Sequence, residues 1–269
     1  GWAHQNDEII SDNQAIEWFN LEAIGRSPSR FDFAKLNFLN KHYLKNLSNE
    51  EIFSLILPNF NNQPNELEAK KIIIEPKPFA MGVRIEHPQA LIDSIQYHCS
   101  GPRNELLPAA SYALVQQVNE RGVYSFCMCP GGFIVPAATA SGEVVVNGMS
   151  PSKRNNLFAN SGIVVEINAD KDLYKYEQFG PLKGLEYQKD LEKLAFTAGG
   201  RSQTAPAQRL TDFVEGRLSN DLNPTSYQPG LKSAPLHSLL PKLIGSRLRK
   251  GFETFGQKMK GYYTAEANV

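Results

Sequence analysis

The stretch Tyr124-Ser-Phe-Cys-Met-Cys-Pro-Gly-Gly132 organises the sequence around it. An apolar and aromatic run meets a proline and two glycines, which predicts a buried β-strand that stops at a tight turn. The glycines allow the backbone to approach either another strand or a ligand. Because strand side chains alternate, Cys127 and Cys129 are expected on one face, as buried inert thiols or, alternatively, as a strained disulfide or a redox dithiol.

Composition limits the classes of partner. The 269 residues contain 28 Lys+Arg and 28 Asp+Glu, and this zero net charge gives no global electrostatic reason to bind nucleic acid or a membrane. No apolar run is long enough to span a bilayer. Three cysteines, an odd number, fit a reducing compartment, so we expect a cytoplasmic protein. Cys127-x-Cys129 without a second pair does not make a zinc site, and we expect no metal.

The chain is expected to have three parts. Residues 1–58 read as a run of short helices, because Ser11 with Gln14 and Ser48 with Glu51 form capping boxes. Residues 59–68 are rich in Asn and Pro and are predicted to be a linker, with the boundary near residue 64. Residues 69–269 alternate strands and helices. The fold class is therefore predicted as α+β, in which a small all-helical segment precedes a mixed or antiparallel sheet with helices packed at its C-terminal side.

Residues 69–269 are predicted to contain at least five strands and three helices. The strand patterns, joined in one place by a turn at Ser141-Gly142, cover residues 72–74, 79–86, 123–128, 133–135, 143–147 and 162–167. The helical patterns cover 184–198, a helix opened by Pro206, and 235–260. The last helix is basic and amphipathic. A core-packed helix with a solvated charged face is favoured over a phosphate- or membrane-binding one.

The strand over residues 79–86 carries the first polar cluster. Arg84 and Glu86 are expected on one face, with Val83 and Ile85 directed to the core. Arg84 either pairs with Glu86 or is free to bind a carboxylate or phosphate. His87 at the strand end is a structural residue or an acid–base group that titrates near neutral pH.

Two further clusters follow. Asn147–Ser150, with the basic loop Ser152–Asn156, cradles an anion or forms a polar loop. Asn160 and Gln208 place amides at element ends, where capping of the backbone is their ordinary role. The sequence contains no G-x-G-x-x-G after a strand, no P-loop, no G-x-S-x-G and no H-E-x-x-H.

The N-terminal residues carry a resemblance of their own. Gly1-Trp-Ala-His-Gln-Asn-Asp-Glu-Ile-Ile-Ser11 and Ser27-Pro-Ser-Arg-Phe-Asp-Phe-Ala-Lys-Leu-Asn-Phe-Leu-Asn40 are similar to bacterial glutamyl-tRNA synthetase. The family's adenylate-binding motifs are absent, so the resemblance implies a helical tRNA-side fragment without an aminoacylation centre. Its basic residues contact phosphate or form a solvated helix face; they are Arg26, Arg30, Lys35 and Lys41.

The rest of the chain resembles bacterial FAD-dependent dehydrogenases, often labelled NAD(FAD)-utilising. The matching motifs are Lys77-Pro-Phe-Ala-Met-Gly-Val-Arg-Ile-Glu-His-Pro-Gln89, Tyr124–Phe133, Val146-Asn-Gly-Met149 and Ala205-Pro-Ala-Gln208. The resemblance implies the middle, substrate-side domain of such an enzyme, with the segments that hold the FAD pyrophosphate missing from this chain.

The resemblance also implies roles for individual residues. Hydride transfer through FAD is expected, with Arg84 binding a small anionic substrate, His87 moving a proton, and Cys127 and Cys129 lining the pocket or exchanging electrons. The implied cofactor-binding residues are Gly131, Gly132, Asn147 and Gln208.

Two rival interpretations stay open on the sequence alone. One is a tRNA-binding or structural fragment without catalysis, with tRNA bound through residues 1–58 and the basic helix near Arg247. The other is a fusion with no activity of its own. Both ends of the chain are expected to be cut from longer proteins.

Overall fold

The computed structural model describes residues 74–269, together with Asn13 and Glu17, which are helical and exposed. The rest of the helical segment 1–58, the linker and most of the first predicted strand lie outside the described residues. The chain divides into two units, Gly1–Gln63 and Pro64–Val269, and the second is described below.

The centre of this unit is an antiparallel sheet of five strands. They are β1 (Phe79–Pro88), β2 (Val115–Val118), β3 (Arg121–Pro136), β4 (Val146–Met149) and β5 (Phe158–Ile167). The order is β1-β5-β3-β2, and β4 pairs with the second half of β3. Two short parallel strands, β6 (Ala205–Ala207) and β7 (Leu231–Ser233), form a separate pair. The predicted α+β class is confirmed, although β4 begins three residues later than predicted.

Most of the helices come after the sheet, as predicted. They are α1 (Gln89–Tyr97), α2 (Ala169–Asp172), α3 (Lys183–Ala198), α4 (Leu210–Glu215), α5 (Leu236–Leu239) and α6 (Lys242–Lys258), with a 3-10 segment over Tyr174–Leu182. Over residues 74–269, none of these helices has the length and apolar character needed to cross a membrane.

Two predicted helices have the wrong bounds, in each case because of a proline. Pro206 lies in β6 and does not open a helix, because a short strand of a two-stranded pair tolerates a residue that donates no hydrogen bond. The predicted helix 235–260 is divided at Pro241, which lacks an N–H and holds Leu240 in an extended conformation with ψ 140°.

Helix α6 packs on one face of the sheet. Ile85, Ile163 and Val165 project from this face and are fully buried with Leu248 and Phe252 of the helix. The opposite side of α6 carries charges such as the exposed Lys250–Glu253 ion pair. The interpretation of α6 as a core-packed helix with a solvated face is therefore confirmed.

The predicted turn at Pro130–Gly132 is absent, because β3 runs through it as a strand with two bulges. Between Phe126 and Cys129, and again between Cys129 and Gly132, β3 advances three residues while β5 advances two. Each extra residue is accommodated by left-handed backbone, at Cys127 (φ 51°) and Gly131 (φ 50°). The Pro-Gly-Gly signal thus marks an irregularity within a strand and not its end.

Gln89 fastens the second bulge to the rest of the domain. Its buried side chain accepts a hydrogen bond from Gly131 N at 2.6 Å and donates to Asp93 Oδ1 at 2.8 Å. The backbone N–H of Gln89 donates to the Leu157 carbonyl at 2.7 Å. The carbonyl of Arg154 lies against Gly131, where an added Cβ would be 1.9 Å from it. The close approach predicted for these glycines is therefore to another backbone segment.

At Glu86, the outer edge of β1 is covered by residues 267–269. Glu86 N donates to Asn268 O at 2.9 Å, and Asn268 N donates back to Glu86 O at 3.0 Å. On the other side of this segment, Gln208 and Val269 exchange backbone hydrogen bonds of 3.0 and 2.7 Å. The segment therefore satisfies the backbone N–H and carbonyl of Glu86, which would otherwise be unpaired at the sheet edge.

Replacing Gly131 by Ala tests the bulge. We expect a large loss in the free energy of unfolding, since the left-handed conformation alone costs an L-residue about 1–2 kcal/mol and the Arg154 carbonyl leaves no room for Cβ. Gly142→Ala is the control, because Gly142 has φ 81° but no atom within 4 Å of its Cβ position. Urea denaturation should show a loss at least about 1 kcal/mol greater for Gly131→Ala. Equal losses would contradict the close approach.

Candidate functional site

A cavity of about 430 Å³ lies against the sheet face that carries the even-numbered residues of β1 and β5. Its walls also include Leu191 of α3, Ala205 of β6 and Ile244 of α6. This volume is in the range of small-molecule sites, which are mostly apolar with a few placed polar groups. The polar groups here are Arg84, Glu86, Asn147, Gln188, Glu192, Thr225, Tyr227 and Asn268.

Arg84 is the cation of this cavity. Its Nη1 donates to Asn160 Oδ1 at 2.7 Å, and its Nη2 donates to Asn147 Oδ1 at 3.2 Å. No carboxylate within residues 74–269 forms an ion pair with it, and its Nε is buried without an acceptor there. Neutral amides thus orient the guanidinium without neutralising its charge.

The backbone around Arg84 leaves space for the guanidinium. Gly148 lies beneath it, and a Cβ there would be 2.3 Å from Nη1. Burial lowers the pKa of Arg84 from its usual value, and the nearby Cys129 and Cys127 oppose this change. An arginine side chain still stays protonated in a protein. The site therefore holds a partly desolvated positive charge.

The alternative that Arg84 pairs with Glu86 is wrong. The Glu86 carboxylate is 3% exposed and accepts hydrogen bonds from Ser226 Oγ and, at 3.1 Å, from Ser226 N. Burial raises the pKa of Glu86, and these hydrogen bonds partly offset the rise. Glu86 thus anchors the loop before β7 while Arg84 stays available to a ligand.

The two cysteines do not share a face, contrary to the expectation from alternation. The first bulge turns Cys127 outward, where it is exposed, whereas Cys129 is 7% exposed. Cys129 Sγ donates to the Cys127 carbonyl at 3.3 Å, and both thiols are free. Burial raises the pKa of Cys129 although Arg84 opposes the rise. The Cys127 carbonyl lies 3.5 Å from Arg84 Nη1, so the bulge reaches the site through its backbone.

His87 lies on the core face of β1, away from Arg84. It is fully buried, and its Nε2 donates to the Tyr262 carbonyl at 2.9 Å. The opposite nitrogen, Nδ1, has no partner within residues 74–269. Its role in moving a proton stays a prediction, and the structure gives His87 no contact with the cavity.

The predicted cofactor-binding residues are not brought together. Asn147 is at the cavity, beside Arg84. Gly131 and Gly132 are buried in the second bulge, and Gln208 is fully buried, with Oε1 accepting from His237 N at 2.9 Å. In the polar loop that follows β4, Ser152–Asn155 are exposed.

Sequence reasoning missed Asn160 as an Arg84 partner and Glu192 as a cavity residue. Asn160 appeared only as a capping amide, since its pairing depends on a strand 76 residues away from Arg84. Gln188, Glu192 and Ala195 follow one another at helical spacing beside the apolar stripe of α3. That spacing is the one signal that could have placed Glu192 at a buried surface.

Comparison with known proteins gives two separate similarities. A family model described as FAD-dependent protein, C-terminal domain-like, matches residues 78–269. An uncharacterized protein of Clostridium beijerinckii is 38% identical over 227 residues, covering 83% of this chain and 42% of that protein. Glutamate–tRNA ligase 2 of the Wolbachia of Culex pipiens and ligase 1 of Wolbachia pipientis wMel are each 70% identical over 57 residues, 21% of this chain. Those residues are 13% and 12% of the ligases, so the chain spans less than half of each relative.

The variant His87→Gln tests the buried imidazole. Burial lowers the pKa of His87 from 6.5 to about 4, and the hydrogen bond to Tyr262 opposes the change. Between pH 6.5 and about 4, the unfolded chain therefore binds more protons at His87 than the folded chain does. The stability due to neutral His87 is complete above pH 6.5 and falls as the pH drops towards 4. The slope approaches about 1.4 kcal/mol per pH unit.

Urea titrations should show that the free energy of unfolding of the wild type, relative to that of His87→Gln, decreases as the pH is lowered from 6.5 to about 4. The raised pKa of Glu86 affects both proteins and cancels in that difference. A difference that does not depend on pH would contradict a neutral, buried His87.

Proposed function

This chain belongs to the family of FAD-dependent proteins, C-terminal domain-like, and from that premise we propose that residues 74–269 are the substrate-side domain of an FAD-dependent oxidoreductase. The observation that carries the proposal is Arg84, a partly desolvated cation in an apolar cavity, oriented by Asn147 and Asn160. A planar guanidinium held this way suits a carboxylate, which it binds through two parallel hydrogen bonds. The substrate is therefore a small anion.

The residues fit one end of FAD and not the other. Strands β1 to β5 are antiparallel, so within residues 74–269 this sheet has no strand–helix–strand turn that would hold a pyrophosphate. The cavity, by contrast, combines apolar walls with Arg84, Asn147 and the exposed Phe126 at its rim. This composition suits the reacting end of a cofactor and its substrate, with the pyrophosphate held by residues outside this range.

The described residues supply binding, orientation and desolvation. Arg84 holds the anionic group, and the amides of Asn147 and Asn160 fix the direction of the guanidinium. The apolar walls exclude water from the reacting carbon. FAD, where bound, would supply the redox chemistry by taking up a hydride, which is two electrons and one proton, from the substrate.

Arg84→Gln tests this function in the full chain supplied with FAD. In the wild type, 3-phenylpropanoate should change the visible spectrum of the flavin, because the anion binds beside it. Removing the cation should raise the dissociation constant of 3-phenylpropanoate, measured from this spectral change, at least about tenfold, which is the usual contribution of a charge-assisted hydrogen bond. Lys153→Gln, in the exposed loop after β4, is the control and should behave as wild type. Equal responses of the flavin spectrum to 3-phenylpropanoate in the wild type and in Arg84→Gln would contradict the assignment of Arg84 to the flavin site.

A second function is proposed for residues 1–57, on the basis of their 70% identity to glutamate–tRNA ligases. We expect tRNA contacts from basic residues such as Arg26 and Arg30. The double variant Arg26→Gln/Arg30→Gln should weaken a gel shift with glutamate tRNA, and added salt should abolish the shift in the wild type. The absence of any shift at low salt would remove this function.

A further inference from the structure

A second charged group faces the same cavity as Arg84. Glu192 of α3 lines this cavity and is only 7% exposed. Within residues 74–269, it forms no ion pair with Lys or Arg. A buried carboxylate without a cation beside it is unfavourable, so a cationic group of a ligand stabilises it.

The position of Glu192 is fixed through both its backbone and its side chain. Val144 N donates to the backbone carbonyl of Glu192 at 3.0 Å, which ties the segment before β4 to α3. Gln188 Nε2 donates to Glu192 Oε1 at 2.7 Å. Burial raises the pKa of Glu192, the hydrogen bond from Gln188 opposes the rise, and the nearby Glu143 adds to it.

Arg84 and the backbone of Glu192 are both tied to the segment 144–147. Val144 N donates to the backbone carbonyl of Glu192, and three residues further along the chain Asn147 accepts a hydrogen bond from Arg84. Arg84 and Glu192 both line the cavity, yet they do not pair with each other. Each is thus a desolvated charge whose counterion is not supplied by the residues described.

We propose that the cavity binds a zwitterionic, amino-acid-like ligand, whose carboxylate pairs with Arg84 and whose ammonium group is bound by the Glu192 carboxylate. One such ligand neutralises both charges, which a simple anion does not. The apolar walls, including Leu191, Ala195 and Ile244, receive its side chain. This inference rests on the proposed function, because it names the substrate class of the same site.

Three probes with one carbon skeleton separate the two charges. They are L-phenylalanine, 3-phenylpropanoate, which lacks the amine, and 2-phenylethylamine, which lacks the carboxylate. Their dissociation constants for the full chain are measured by calorimetry or ligand-observed NMR. We expect L-phenylalanine to bind at least about tenfold more tightly than either truncated probe.

Variants assign each charge to its residue. Glu192→Gln keeps the size of the side chain and should reduce L-phenylalanine affinity at least about tenfold, without weakening 3-phenylpropanoate. Glu186→Gln, on the same helix but outside the cavity lining, is the matched control and should bind all three probes as wild type does.

Two results would overturn the inference. If 3-phenylpropanoate binds as tightly as L-phenylalanine and Glu192→Gln changes neither, the cavity is an anion site, and the proposed function survives without the zwitterion. If L-phenylalanine does not bind, the ligand class is wrong. The flavin titration with Arg84→Gln is then a separate test of the proposed function.

Discussion

The double bulge of β3 is the constraint on which the rest of the domain depends. It inserts two residues opposite a regular β5, and Gln89 holds the second bulge against α1 through a 2.6 Å hydrogen bond. Without it, alternation would place Cys127 and Cys129 on one face. With it, Cys129 is buried and the Cys127 carbonyl reaches the guanidinium of Arg84. Left-handed backbone at Cys127, a non-glycine residue, is local strain of the kind found at functional sites.

Regular alternation in β1 and β5 divides the domain into two faces with different tasks. The odd-numbered residues meet α6 and form the hydrophobic core, which buries Ile85, His87 and Ile163 completely. The even-numbered residues Arg84 and Asn160 are directed to the cavity face. A shift of one residue in register would exchange these sets and bury the cation in the core. Stability and ligand binding are therefore fixed by the same strand pairing.

The sequence was sufficient to predict the strands and helices that depend on a local pattern of residues. Alternation predicted β1 with Val83 and Ile85 directed inward, and helical spacing predicted α3 to within one residue of its start. It failed where the outcome depends on distant partners. The Pro-Gly-Gly signal is the same for a turn and for a bulge, and the difference lies in contacts with Gln89 and Arg154. The pairing of Arg84 with Asn160, and the place of Glu192 at the same cavity as Arg84, likewise require the tertiary fold.

The central claim is that Arg84 is a free cation that binds an anionic group in the cavity. Nitrogen NMR of arginine-labelled full chain tests it most directly, with the Arg84 signal identified by its loss in Arg84→Lys. On addition of 3-phenylpropanoate, the account predicts a saturable shift of the Arg84 Nε–H and guanidinium signals, while the signal of Arg103, which pairs with Asp93, stays in place. Saturable shifts at other arginines with an unchanged Arg84 signal would contradict the account.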